Sequence, residues 1–226
     1  TISGPAAQGM KFSDAESIDN VFSMIEINKS EKTIIGDVFI RDENGELYDK
    51  FHVKLLFNSD LKYSFPKVFE IGFSIPKIAD RHVYRNGSFC LALPHEEIDL
   101  CKAGISFREF VINVLYKYLV NQSLINNGKA ESFLMGEHAH NAQGIIDHYL
   151  SIFPGFTLHQ IMTIINFTLH RLIAKKSKHL CPCDSGQLLV DCHFQIITNL
   201  KSYGKNRLQT DYDTIHIFLN ELNAKN

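Results

Sequence analysis

Polar and apolar residues alternate along Phe22-Ser-Met-Ile-Glu-Ile-Asn28, the two-residue period of a strand with one buried face. Branched residues crowd Thr33–Ile40, a turn sequence follows at Asp42-Glu-Asn-Gly45, and another apolar-rich run covers Phe51–Phe57. Such runs, separated by short turn sequences, predict an antiparallel meander within the stretch from about Val21 to Leu93. One more short strand is expected at Lys67–Ile71, after Tyr63-Ser-Phe-Pro66.

The period then changes. Ser106-Phe-Arg-Glu109 has the form of a capping box, in which Ser106 accepts from the Glu109 amide and Glu109 reaches back. Behind it Phe107, Phe110, Val111, Val114, Leu115, Tyr118 and Leu119 recur at helical spacing. Further helices are predicted near Gly144–Phe153, at Leu158–Lys176, at Asp191–Tyr203 and at Asp211–Leu222. The fold class that follows is α+β, a meander sheet with flanking helices and then a helical C-terminal region. Domain boundaries are expected at residues 10–150 and 151–226. Residues Thr1 to Gly9 are small and unpatterned and precede Met10, so they read as a tag or flexible leader.

Composition narrows the classes. Of 226 residues, 45% are hydrophobic and 21% charged, which suits a chain that buries a full core and excludes disorder as its main state. A net charge of -2 supplies no basic field for nucleic acid. The short run Lys175-Lys-Ser-Lys178 reads as a helix-end complement to the dipole. The charge-free stretch from Leu150 to His170 contains His159, Gln160, Asn166 and a Pro-Gly pair, so it reads as a buried helix and its approach, not as a membrane span. Five cysteines, an odd count with a tight late cluster, suit free thiols or metal in a reducing cytoplasm better than a disulfide framework.

The most informative stretch is Tyr63-Ser-Phe-Pro66, then His82, then Asn86-Gly-Ser-Phe-Cys-Leu91, with the capped helix at Ser106 beyond. It resembles the ubiquitin-conjugating enzyme fold. That family runs from a meander strand through a Tyr-Pro-Phe-x-Pro-Pro turn to a His-Pro-Asn motif and an Asn-Gly-x-Ile-Cys-Leu segment around its active cysteine. Tyr63, Phe65 and Pro66 match the turn, His82 the histidine, and Asn86, Gly87, Ser88, Cys90 and Leu91 the cysteine segment. The match covers roughly Val21 to Asn121. Val83 and Tyr84 stand where the family has proline and the asparagine that serves the oxyanion, so this chain supplies another donor or lacks the function. His82, the cysteine segment and Gly136-Glu-His-Ala-His140 look closer to bacterial members, which are encoded beside ubiquitin-like proteins, activating enzymes or nucleotide cyclases of antiphage operons.

The resemblance implies that Cys90 accepts an acyl group as a thioester and passes it to an amine. A thiol with a pKa near ~8.5 is only a few per cent thiolate at neutral pH yet is intrinsically nucleophilic. It needs exposure and an oxyanion donor more than a triad. His82 is then expected to orient the loop and His95 to deprotonate the incoming amine or polarise the thioester, while Asn86 is a substrate or cleft candidate. Cys101 is the rival nucleophile, since Asp99-Leu-Cys-Lys102 precedes the capped helix, where amide dipoles and Lys102 would lower a thiol pKa. The alternative for Cys90 is a small core residue between Phe89 and Leu91. Glu137, His138 and His140 are cleft candidates through the bacterial likeness; the alternative is loop histidines that tie down backbone.

The late cluster Cys181-Pro-Cys183-Asp-Ser-Gly186, continued by Asp191-Cys192-His193, resembles the SEC-C motif. Three thiols and an imidazole form a closed set of the kind that holds structural zinc. The function these readings imply is a ubiquitin-like-protein conjugating enzyme with Zn2+ as a structural ion. Its partners would be an activating enzyme and a ubiquitin-like or operon-encoded protein, with no membrane or nucleic acid. Two alternatives stay open, an inactive binding module on the same fold and a zinc-organised interaction adaptor.

Overall fold

The computed structural model describes residues 10–57, 63–132, 142–174 and 178–225. Four antiparallel strands, β1 (Phe22–Asn28), β2 (Thr33–Arg41), β3 (Leu47–Leu56) and β4 (Lys67–Glu70), pair in sequence order. This is the meander expected, with β1 and β4 within a residue of the predicted runs. The turn at Asp42 closes through the Gly45 N–H donating to the Asp42 carbonyl at 3.0 Å. The Asp42 carboxylate also accepts from the Asn44 and Glu46 amides, at 2.9 Å each, the local bonding that makes aspartate a turn residue.

The inner face of the sheet is apolar because alternate residues point the same way. Phe22, Ile34, Val38, Phe51, Val53 and Leu55 lie there, all buried. Gly36 is required by close approach, since a Cβ there would come within 2.5 Å of the Ser23 carbonyl and 2.6 Å of the Phe22 ring. A helix covers this face. It runs from α2 (Phe107–Phe110) through a π-helical turn, Val111–Leu115, into α3 (Tyr116–Asn126). Its start is the capping box read from the sequence, with the Glu109 amide donating to Ser106 Oγ at 3.2 Å and the Ser106 amide donating to Glu109 Oε2 at 2.8 Å. Phe107 meets Phe22 edge to face at 5.8 Å between ring centres, a geometry aromatic pairs favour.

One helix falls where none was predicted. α1 (Pro94–Ala103) lies between the cysteine segment and the capped helix. Proline stands at its first position, where a missing N–H costs nothing, and Glu96 reaches back to accept from the Leu93 amide at 3.2 Å. Gly104, at a φ of 87°, ends it.

The chain divides into two units, Thr1–Glu137 and His138–Asn226, ahead of the boundary expected at residue 150. The reason is α4 (Ala142–Ile152), whose Ile145, Ile146 and Tyr149 belong to the second core. That core also takes Ile161, Ile164 and Ile165 of α5 (Leu158–His170), Ile197 of α6 (Phe194–Lys201) and Leu208 and Ile215 of α7 (Lys205–Lys225). The α5 helix ends at His170, earlier than the Lys176 predicted, because Arg171 turns to extended backbone. Residues 175–177 of the basic run lie outside the described residues. Within this core Asp211, fully buried, accepts from the Tyr149 hydroxyl at 2.9 Å and from Arg207 Nε at 2.7 Å. A buried charge needs such partners. Among the described residues no helix is long and apolar enough to cross a membrane.

Candidate functional site

Cys90 sits on a short hairpin. The Cys90 amide donates to the His82 carbonyl at 2.8 Å, Val83 bridges Phe89, and the Tyr84 amide donates to the Ser88 carbonyl at 2.8 Å. Its turn is Arg85-Asn86-Gly87. Gly87 takes a φ of 86°, the left-handed position a three-residue hairpin turn requires. Asn86 shapes the turn, since its side-chain oxygen accepts from the Ser88 amide at 3.0 Å and the Ser88 hydroxyl at 2.8 Å. Val83 and Phe89 anchor the hairpin inward, and Phe89 packs on Tyr118 at 4.5 Å between ring centres.

The approach to the hairpin is held from α3. His82 has a φ of 52° and ends a single 3-10 turn at Ala79–Arg81. The Arg81 carbonyl accepts from the Tyr118 hydroxyl at 2.9 Å and from Gln122 Nε2 at 2.6 Å, while Arg81 Nε donates to Gln122 Oε1 at 2.7 Å. Arg81 also donates to the Asn126 side chain, and Asn126 Nδ2 donates to the Ser74 carbonyl at 3.2 Å. The His82 carbonyl joins the site by accepting from the Cys90 amide.

Cys90 is half-buried. Burial pushes its thiol pKa up, a hydrogen bond with the Tyr84 side chain opposes that shift, and the Glu97 carboxylate adds to it. Beside the hairpin lies a cleft of about 140 Å³ whose lining includes Phe65, Pro66, Tyr84, Ser88, Leu91 and Glu97. Glu97, on α1, ties the Tyr63–Pro66 turn to this place by accepting from the Phe65 amide at 2.7 Å. Burial raises the Glu97 pKa, which the Phe65 hydrogen bond partly offsets.

Two expectations change here. Cys101, ahead of the capped helix as expected, lies in the last turn of α1, at that helix's carbonyl end, and is fully buried. Its thiol is pushed up to about 12 by burial and by Glu97, the opposite of the lowering expected. His95 is also fully buried, in the first turn of α1. That burial keeps it from an incoming amine, the role anticipated for it. Glu137, His138 and His140 lie outside the described residues. Tyr84 and Glu97, neither of them a site residue expected from the sequence, both act on the Cys90 thiol.

The second candidate site is in the C-terminal unit. A small hairpin is closed by the Cys181 amide donating to the Gln187 carbonyl and the Leu189 amide donating to the His179 carbonyl, at 2.8 Å each. Its turn passes through positive φ at Asp184 (61°) and Gly186 (72°). It presents Cys181 and Cys183. Cys192 and His193 follow another 3-10 turn and immediately precede α6, which is why that helix starts later than the predicted Asp191. Cys181 Sγ lies 3.3 Å from His193 Nδ1, Cys192 Sγ 3.1 Å from the same nitrogen, and Cys183 Sγ 3.6 Å from Cys192 Sγ. The four donor atoms all fall within 4.8 Å of one another and could hold a metal ion. The Phe153 and Phe156 rings pack on His193 at 5.9 and 5.5 Å.

No family model, no curated protein and no solved structure matches the chain.

Proposed function

We propose that the chain is a ubiquitin-like-protein conjugating enzyme of the bacterial, antiphage-operon type, with Cys90 as its acyl carrier. The observation that carries the reading is the setting of Cys90. It is a half-buried thiol on a pinned hairpin beside a cleft, with a hydroxyl bonded to it. The thiolate would attack the thioester that holds the partner's C-terminus on an activating enzyme, forming the new S–C bond as that enzyme's own thiolate leaves. An amine would then attack the carbonyl carbon, forming the C–N bond as the C–S bond breaks, with the thiolate leaving and the amine proton passing to solvent. The raised pKa keeps the resting thiol protonated at neutral pH, so deprotonation accompanies charging.

The Cys181, Cys183, Cys192 and His193 set is proposed as a structural zinc site. Tetrahedral zinc, with bonds of ~2.3 Å to sulfur and ~2.0–2.1 Å to nitrogen, gives S–S edges of about 3.8 Å and S–N edges of about 3.5 Å. Three of the six separations, 3.6, 3.3 and 3.1 Å, lie close to these, slightly contracted, and all four donors fall within 4.8 Å of one another. Four protein ligands leave no open position, so the ion would brace the fold.

The test is a charging assay with ATP and the activating enzyme and ubiquitin-like protein encoded beside this chain, resolved with and without thiol reductant. A reductant-sensitive adduct is expected from the wild type and from Cys101→Ala, and none from Cys90→Ala. An adduct that survives Cys90→Ala would overturn the assignment of the carrier. No adduct from any version would favour the inactive binding module.

A further inference from the structure

The hairpin pairs residue 84 with 88 and residue 82 with 90, so Tyr84 lies diagonal to Cys90 on the strand opposite. Diagonal positions on one hairpin face are within reach of an aromatic side chain. The other face is given to Val83 and Phe89, both buried. Hydrogen bonding from the Tyr84 side chain opposes the upward shift of the Cys90 thiol pKa, and Tyr84 is 50% exposed. Its ring therefore has room to follow an oxygen that arrives when the sulfur is acylated. Val83 and Tyr84 occupy the two positions directly after His82, on the strand whose backbone fixes Cys90.

We infer that Tyr84 is a catalytic hydrogen-bond donor, whose phenol shifts from the Cys90 sulfur to the carbonyl oxygen of an acyl group carried there. This rests on the reading of Cys90 as an acyl carrier. When a nucleophile adds to the thioester carbon, negative charge collects on that oxygen, and a donor already in place stabilises it without reorganisation. The phenol stays protonated throughout. It donates a hydrogen bond and exchanges no proton, so the atom balance of the transfer is unchanged.

A small-molecule acyl donor tests this. With p-nitrophenyl acetate, the Cys90 thiolate forms an S–C bond as the C–O bond to p-nitrophenolate breaks; hydroxylamine then takes the acetyl group and returns the thiolate. Iodoacetamide alkylates the same thiolate by displacing iodide at a saturated carbon, with no oxyanion. Both rates are measured at one pH for the wild type and Tyr84→Phe, with the Cys90→Ala background subtracted, and circular dichroism confirms the fold of each variant. Tyr84→Phe is expected to lower the ratio of acylation to alkylation by about tenfold, less than the ~100–1000-fold typical of a fully preorganised donor. A ratio unchanged within about twofold, alongside Cys90-dependent acylation of the wild type, would overturn the role of Tyr84 and leave the carrier reading standing. Acylation equal in wild type and Cys90→Ala would overturn both.

Discussion

Glu97 joins three parts of the site. Its carboxylate accepts from the Phe65 amide, lines the cleft, and raises the pKa of both Cys90 and Cys101. A negative charge beside a thiol disfavours the thiolate. Glu97→Gln keeps an oxygen for the Phe65 amide and removes the charge. Alkylation of Cys90 by iodoacetamide at pH 7.5 is therefore expected to speed up by a few-fold, following the larger thiolate fraction. An unchanged or slower rate would remove Glu97 from the electrostatics of the site. The same carboxyl also sets a pH dependence of stability. Its folded pKa is raised, so the native chain holds more protons than the unfolded one between the ordinary value near ~4.3 and the raised value. Its contribution is fully present below that window and is lost as pH rises through it. Glu97→Gln should flatten this slope in urea titrations.

At the level of elements, α3 acts as the clamp for the cysteine hairpin. Tyr118, Gln122 and Asn126 recur every four residues, so they lie along one helix face. That face receives Arg81, with Gln122 fully buried between. Gln122→Met keeps the volume but removes both Gln122 bonds, which leaves the Arg81 groups short of partners at a cost of about 1–3 kcal/mol. Faster hydrogen exchange is expected at the Val83 and Cys90 amides, while the β2–β3 amides keep their protection. Equal exchange in both proteins would show that the clamp does not hold the hairpin. None of this clamp was legible in the sequence, because its partners stand 41 residues apart and each is an unremarkable polar residue on a helix. The strands and the Ser106 cap were legible because alternation and a four-residue capping box are local patterns. The cluster that could hold a metal was legible too, since its three cysteines and histidine fall within 13 positions of chain. α1 was missed because Leu93, at its N-cap, is not a capping residue type, and with it the burial of Cys101 and His95. Tyr84 was read as the loss of an asparagine; only the pairing of the hairpin sets it diagonal to Cys90.

For the whole molecule, the division into two units, each with its own core, makes a separable prediction. The C-terminal core lies on helices of modest length, and its hairpin at residues 179–189 is too small to be stable alone in water. Cys181 belongs to that core, and His193 stands against Phe153 and Phe156. A metal bound there would tie the hairpin to the start of α6. Structural zinc in small peptides contributes apparent binding free energies of about 10–16 kcal/mol near neutral pH, as much as the whole stability of a typical domain, about 5–15 kcal/mol. Chelation should release close to one zinc per chain and strip exchange protection from the hairpin, α6 and the parts of α5 and α7 packed on it. Cys183→Ser should do the same without a chelator. The sheet and α3 should keep their protection, and Cys90 should alkylate at its original rate within about twofold, because its reactivity is set by Tyr84, Glu97 and burial within the first unit. Zinc-free protein with full protection in the second unit would sink the structural-metal reading. A fall in Cys90 reactivity in step with metal loss would overturn the independence of the two units.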